Sequence, residues 1–245
     1  MTFQEIEDAQ NWIMADHRLI IKHVLNFEGG HSADPADNAL RFGHSGVPGG
    51  VINPATGKQY DPKHPRNFIH TNKGITWATY VSYCRNTNKI PNAPEFLAMP
   101  YNLWLNIFKK QFWDKIKGDQ IRSQAVAEYI FEAVWGGGGS SLIRNLQRYL
   151  VNLGARISVT GDIDQPTINA INSYLKGAEA QNKVIEYLTE KRLQYLQSLS
   201  DWSKYGRGWT RRINELKNRA LNYIKKLNFG NMFKLFAILG AGFFF

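Results

Sequence analysis

Glu28 is followed by two glycines and then, within ten residues, by Asp34 and Asp37, in the run FEGGHSADPAD. Carboxyl groups at this spacing on a turn-rich segment can fold toward one another, and cleavage of a glycosidic bond uses such a pair. One carboxylic acid protonates the leaving oxygen, while a second carboxylate activates water or stabilises positive charge at the anomeric carbon. An apolar cleft keeps a donor of this kind protonated near neutral pH, because loss of water disfavours its charged form. Phe27, Trp77 and Trp135 are the aromatic candidates for such surroundings. On spacing alone, an exposed acid at a helix end accounts for Glu28 equally well.

The elements that must hold these residues are legible in outline. Apolar residues from Ile6 to Phe27 recur at near-helical spacing with a break near Asp16 and His17, and Gly29 and Gly30 are expected to end that helix as glycines commonly do. Residues 31–74 change to Gly, Pro, Asn, Asp and His, with turn pairs such as Asn53-Pro54 and Asp61-Pro62. So long a stretch without periodicity is uncommon inside a compact domain and is usually functional or a small hairpin region. The pattern predicts a loop with a small β element near the active site. Beyond it, helices are expected at about 75–86, 100–113, 119–134, 140–152, 165–175, 179–199 and 208–227. In VTGDIDQPTINAIN, Asp164 or Thr160 is suited to cap the helix that follows.

Charge and composition narrow the classes. The 245 residues carry a formal charge of +10, of which +7 lies from Gly206 onward, where eight basic residues face Glu215 alone. A basic segment of this kind suits nucleic acid, anionic lipid or an anionic cell-wall polymer. Nucleic acid is not expected, since zinc-finger spacing, a basic zipper and the aromatic ribonucleoprotein motifs are missing. WGGGGSS at 135–141 lacks the Gly-Lys-Ser/Thr of a phosphate loop and reads as a boundary or a flexible contact loop. A single cysteine, Cys84, excludes an intramolecular disulfide. The acidic, amphipathic start has no basic region followed by an apolar core, so no signal peptide is expected. The final stretch, NMFKLFAILGAGFFF, is apolar but about half the length of a membrane span. It reads as an interfacial or partner-docked tail or as an end folded onto the core. Trp202, Tyr205 and Trp209 offer stacking faces for sugars, though aromatics at that spacing are more often core.

FEGGHSADPAD together with TNKGITWATY (71–80) resembles the Glu-Gly-Gly, Asp-Pro-Ala-Asp and Thr-Asn-Lys-Gly-Ile-Thr signature of glycoside hydrolase family 108, the lysozyme-like N-acetylmuramidases of phages and bacteria. FWDKIKGDQIRSQAVAEYIFEAV, NLQRYL, TGDIDQPTINAIN and GWTRRINEL follow in order, so the resemblance runs over roughly 17–216. It implies a mainly α, lysozyme-like domain over 1–120, a helical peptidoglycan-binding region over 121–216, and a basic helix end with an apolar tail over 217–245. The implied reaction is hydrolysis of the β-1,4 bond between N-acetylmuramic acid and N-acetylglucosamine in bacterial peptidoglycan, without a cofactor.

By the same resemblance Glu28 is the catalytic acid, Asp37 holds the attacking water or stabilises the oxocarbenium-like transition state, and the Thr71 hydroxyl orients that water. Gly29, Gly30, Asp34, Asn72, Trp77 and Trp135 are implied as substrate-binding positions. One departure stands out. In the family the threonine follows the second aspartate almost directly, whereas here residues 38–70 intervene. The insertion forms a lid on the cleft or displaces Asp37. Its His44, His64 and His70, with His31 just before it, fit no common metal-ligand spacing. The natural setting is a phage or prophage, with the protein acting on the host wall from the cytoplasm after release or from the virion, and residues 229–245 touching a membrane surface or a virion protein. A catalytically inactive, wall-binding virion protein with the same fold is the alternative.

Overall fold

The structure, a computed structural model, describes residues 14–33 and 69–240, with side chains to 226. It is mainly α-helical with one small antiparallel sheet, and it divides into two units, one formed by 21–112 and the other by the flanking residues up to 20 and from 113. The boundary falls inside α1 (Arg18–Phe27). Asp16 accepts from the Arg18 amide at 2.9 Å, which accounts for the break expected near Asp16 and His17. Ile20, His23 and Val24 form the buried stripe of α1. Phe27 is its last residue, but neither Gly29 nor Gly30 takes the left-handed conformation expected of a glycine helix stop.

In the first unit, β1 (His31–Ser32) pairs with β2 (Thr71–Asn72), which returns into β3 (Ile75–Thr76). Lys73 and Gly74 make the two-residue connection at φ 48° and 77°, the type I′ pattern whose twist matches a hairpin. Lys73 has a Cβ and adopts this conformation at a cost. Its carbonyl accepts from Trp104 Nε1 at 2.9 Å, and its own Nζ donates to the Met99 carbonyl at 3.0 Å. The hairpin runs directly into α2 (Trp77–Asn86), capped by Thr76 Oγ1, which accepts from the Thr79 amide.

A short helix, α3 (Ala93–Ala98), was not expected from periodicity, which six residues scarcely carry. Its signal is local: Asn92 accepts from the Glu95 amide, and Pro94 sits in the first turn. Then α4 (Tyr101–Phe108) widens into a π-turn at Lys109–Trp113. Trp77, Tyr80 and Phe96 make an aromatic cluster at centroid separations of 5.2–5.6 Å, and Trp104 and Phe108 a second pair at 4.9 Å.

The second unit is built around α5 (Gln124–Trp135), against which α6 (Gly139–Asn152), α8 (Gly177–Gln197) and α9 (Trp202–Gly240) pack. The α5 helix begins later than the sequence pattern suggested, because Gly118–Gln120 is a 3-10 turn and Ser123 provides the cap by accepting from the Val126 amide. Of the expected boundary loop, only residues 136–138 form a tight turn, tied down by Arg192, which donates to the Gly137 carbonyl. Helix α7 (Gln165–Tyr174) is capped by Asp164, whose Oδ1 accepts from the Thr167 amide at 2.9 Å. Helix α9 runs beyond both expected ends. It passes through Gly206, where an added Cβ would come within 2.6 Å of the Trp202 ring, so the glycine makes room for that indole.

The nine residues Ala125–Ala133 of α5 are all buried, and two of them, Glu128 and Glu132, are acids one turn apart. Buried charge requires partners. Glu132 meets Arg192 Nε at 2.9 Å and Arg212 Nε at 3.2 Å, and Glu128 meets Arg219 at 3.2 Å. Burial pushes the Glu128 carboxyl up, and the Arg219 charge opposes that shift.

Candidate functional site

Glu28 stands one residue past the end of α1, half-buried, with its amide still donating to the Val24 carbonyl at 3.2 Å. After it the backbone opens. Gly29 and Gly30 are exposed, and among the described residues nothing lies within 4 Å of where either Cβ would be. Since neither conformation nor crowding there demands glycine, what the two glycines provide is uncovered backbone beside an acid, suited to the approach of a bulky chain. The Gly30 carbonyl accepts from the Lys73 amide at 3.2 Å, which pins the segment after Glu28 to the hairpin turn.

Across the sheet, Ser32 is paired with Thr71, and Thr71 with Thr76, so three hydroxyl side chains occupy one register position. Thr71 is half-buried, and its Oγ1 is hydrogen-bonded to His70 Nδ1 at 2.8 Å. His70 is fully buried. Its amide donates to the Ser32 carbonyl at 2.9 Å, its carbonyl accepts from the Trp77 amide at 2.8 Å, and its Nε2 lies 3.5 Å from Ser32 Oγ. The imidazole thus fixes the Thr71 hydroxyl from one side while the strands fix its backbone. His70 entered the sequence reading only as one of four loop histidines. Its adjacency to Thr71 was the available signal, but the tertiary contact with Ser32 was not readable. Of the other three, His31 Nε2 is bonded to the Leu97 carbonyl at 2.8 Å, and His44 and His64 lie outside the described residues.

The remaining candidates fall in different surroundings. Asn72 is buried, and its side-chain amide donates to the carbonyls of Phe96 and Leu97, both at 2.9 Å, tying the hairpin to α3. Trp77 is half-buried at the edge of the aromatic cluster, set edge-on to Phe96. Trp135 belongs to the other unit, where its ring stacks with Phe131 at 5.9 Å. Asp34 and Asp37 lie outside the described residues, as does the insertion up to residue 68. Trp202, Tyr205 and Trp209 form a partly exposed cluster on α9, at 5.7 and 6.2 Å from Trp209. Among the described residues, no group of three or more His, Cys, Asp or Glu side chains is arranged to hold a metal ion.

A half-buried carboxyl group beside exposed backbone, with a positioned hydroxyl on the adjoining hairpin, can donate a proton to a leaving group and orient a water molecule.

Residues 21–138 match the family model for glycosyl hydrolase 108. The fold is similar to that of Brucella abortus SagA, with a TM-score of 0.58 and 21% sequence identity over 84% of this chain and 93% of that one. No curated protein matches the chain at a significant level.

Proposed function

Given that residues 21–138 belong to the glycosyl hydrolase 108 family, and that the chain therefore carries a peptidoglycan-directed glycoside hydrolase, we propose that it is an N-acetylmuramidase. It cleaves the β-1,4 bond between N-acetylmuramic acid and N-acetylglucosamine with Glu28 as general acid. The observation that carries this reading is the arrangement of Glu28 at the open end of α1 and Thr71 on the strand pinned to the chain that follows it. Glu28 protonates the bridging oxygen as the C–O bond breaks. The Thr71 hydroxyl, held by His70, orients the water that attacks the oxocarbenium-like carbon, and Asp37 supplies the second carboxylate. Exposed backbone at Gly29 and Gly30 gives the glycan room to lie against the acid. The setting that fits a wall hydrolase of this type is a phage or prophage, with the enzyme reaching the wall at lysis or from the particle.

The test is release of reducing sugar from purified peptidoglycan by the wild type, Glu28→Gln and Thr71→Val, with products identified by mass spectrometry and folding checked by circular dichroism. Reducing N-acetylmuramic acid ends from the wild type, lost in Glu28→Gln and diminished in Thr71→Val, are expected. Reducing N-acetylglucosamine ends would assign the other glycosidic bond. Wall binding without turnover by the wild type would make the domain an attachment module.

A further inference from the structure

The helical unit contains a cavity of about 370 Å3 that has no part in the chemistry proposed above. Ile171 and Leu175 give it an apolar wall, and at its mouth Met14 and Leu19 stand 40% and 48% exposed. Large apolar side chains left exposed around a concave surface of this size are the usual setting of a small-molecule site.

Its charge is one-sided. Arg122, Lys176 and Lys226 line it, and the one acid among its lining residues, Asp16, is paired with Arg18 at 2.6 Å. Arg122 Nε is buried and, among the described residues, has no hydrogen-bond partner. Two helices also begin at this wall: α5 after Ser123, and α8 after Lys176, whose side chain makes no capping bond. Helix N-termini add positive potential, which the C-terminus of α7 at Leu175 offsets in part. A neutral apolar ligand would leave Arg122 unanswered, and a small polar anion would leave the apolar wall in contact with water.

We propose that this cavity binds an amphipathic anion, an alkyl chain bearing a phosphate or carboxylate head. The chain lies against Ile171, Leu175, Met14 and Leu19, and the head meets Arg122 and Lys176. A bilayer phospholipid and a free acyl anion share this chemistry. The proposal is independent of the muramidase reading, because that scheme gives none of these residues a role.

Calorimetric titration of the full chain with dodecyl phosphate, below its micellar concentration, is the test. Saturable one-site binding is expected, at least tenfold tighter than that of inorganic phosphate or of dodecyl maltoside. The double variant Arg122→Gln, Lys176→Gln should weaken it at least tenfold while peptidoglycan hydrolysis is unchanged. Should Arg122 prove necessary for folding, Lys176→Glu with Lys226→Glu, both exposed, gives the same reading. Equal affinity in wild type and variants, or inorganic phosphate binding as tightly as dodecyl phosphate, overturns the proposal. Sedimentation with phosphatidylglycerol against phosphatidylcholine vesicles separates the two sources. Pelleting that the variants lose assigns a bilayer lipid, and dodecyl phosphate binding without pelleting assigns a free acyl anion.

Discussion

The two units satisfy their buried polar groups with different emphases. In residues 21–112 the strands are only two residues long and α3 only six, so the hairpin turn and the end of α3 leave carbonyls that side chains must answer. Asn72 serves Phe96 and Leu97, Trp104 serves Lys73, and the Lys73 ammonium serves Met99. Tyr80 accepts from the Asn92 amide and donates to Glu95, with burial holding the phenol well above its ordinary range and so keeping it a donor. In the helical unit the backbone within each helix is satisfied by the helix itself, and its buried acids are answered by arginines, as in Glu132 with Arg192, while Arg192 and Gln147 also serve loop backbone at Gly137, Gly161 and Asp162. Short elements thus lean on side-chain bonds to turn and helix-end carbonyls, and the long helices add buried ion pairs. The first unit holds the proposed site, where the His70 ring, itself enclosed by the strands, meets the Thr71 hydroxyl.

The comparison breaks most visibly at Glu28. Glu28→Gln should lower reducing-end release by about 10²–10⁴-fold with an unchanged thermal midpoint, and a parallel loss of stability would show that Glu28 is structural. Arg192→Ala should act in the reverse sense. It leaves Glu132 buried with one cation fewer, and it is expected to cost about 3 kcal/mol in urea unfolding. Asn72→Leu leaves two carbonyls without their donor and should cost about 2 kcal/mol, with reducing-sugar release reporting whether the hairpin shift also reaches Thr71.

The smallest expected effect is at Asp164. Its hydrogen bond with Thr167 holds its carboxyl below the ordinary 3.8. Deprotonation is therefore favoured in the folded state, and the stabilisation is present above pH 3.8 and lost as pH falls through the lowered folded value. Asp164→Ala should cost about 1 kcal/mol at pH 6, with the gap from wild type closing in acid. A gap that stays constant down to pH 2 would show that the carboxylate is not the stabilising form.

Much of this could be read along the chain. Helices over 77–86, 139–152, 165–174 and 177–197 follow from periodicity, and the Asp164 cap from its place before Gln165-Pro166. The small β element was expected from the turn-rich composition of 31–74, but Ile75-Thr76, expected to open the next helix, forms its third strand instead. Helix α3 escaped because its cap outweighs its six-residue pattern, and the start of α5 was set too early because Gly118–Gln120 continues the helical look without the bonds.

What the sequence determined by itself were local matters: helical faces, caps, turn residues, and the ordered motifs that resemble one hydrolase family. What only tertiary structure decided were pairings between distant residues. Glu132 meets Arg192 across sixty positions and Glu128 meets Arg219 across ninety-one, and neither acid looks buried until nine consecutive positions of α5 prove to be enclosed. His70 becomes the support of Thr71 because Ser32 arrives from thirty-eight residues away. Periodicity reports which face of an element is covered, whereas burial of charge and the aim of a hydroxyl depend on what covers it, and that is set by packing.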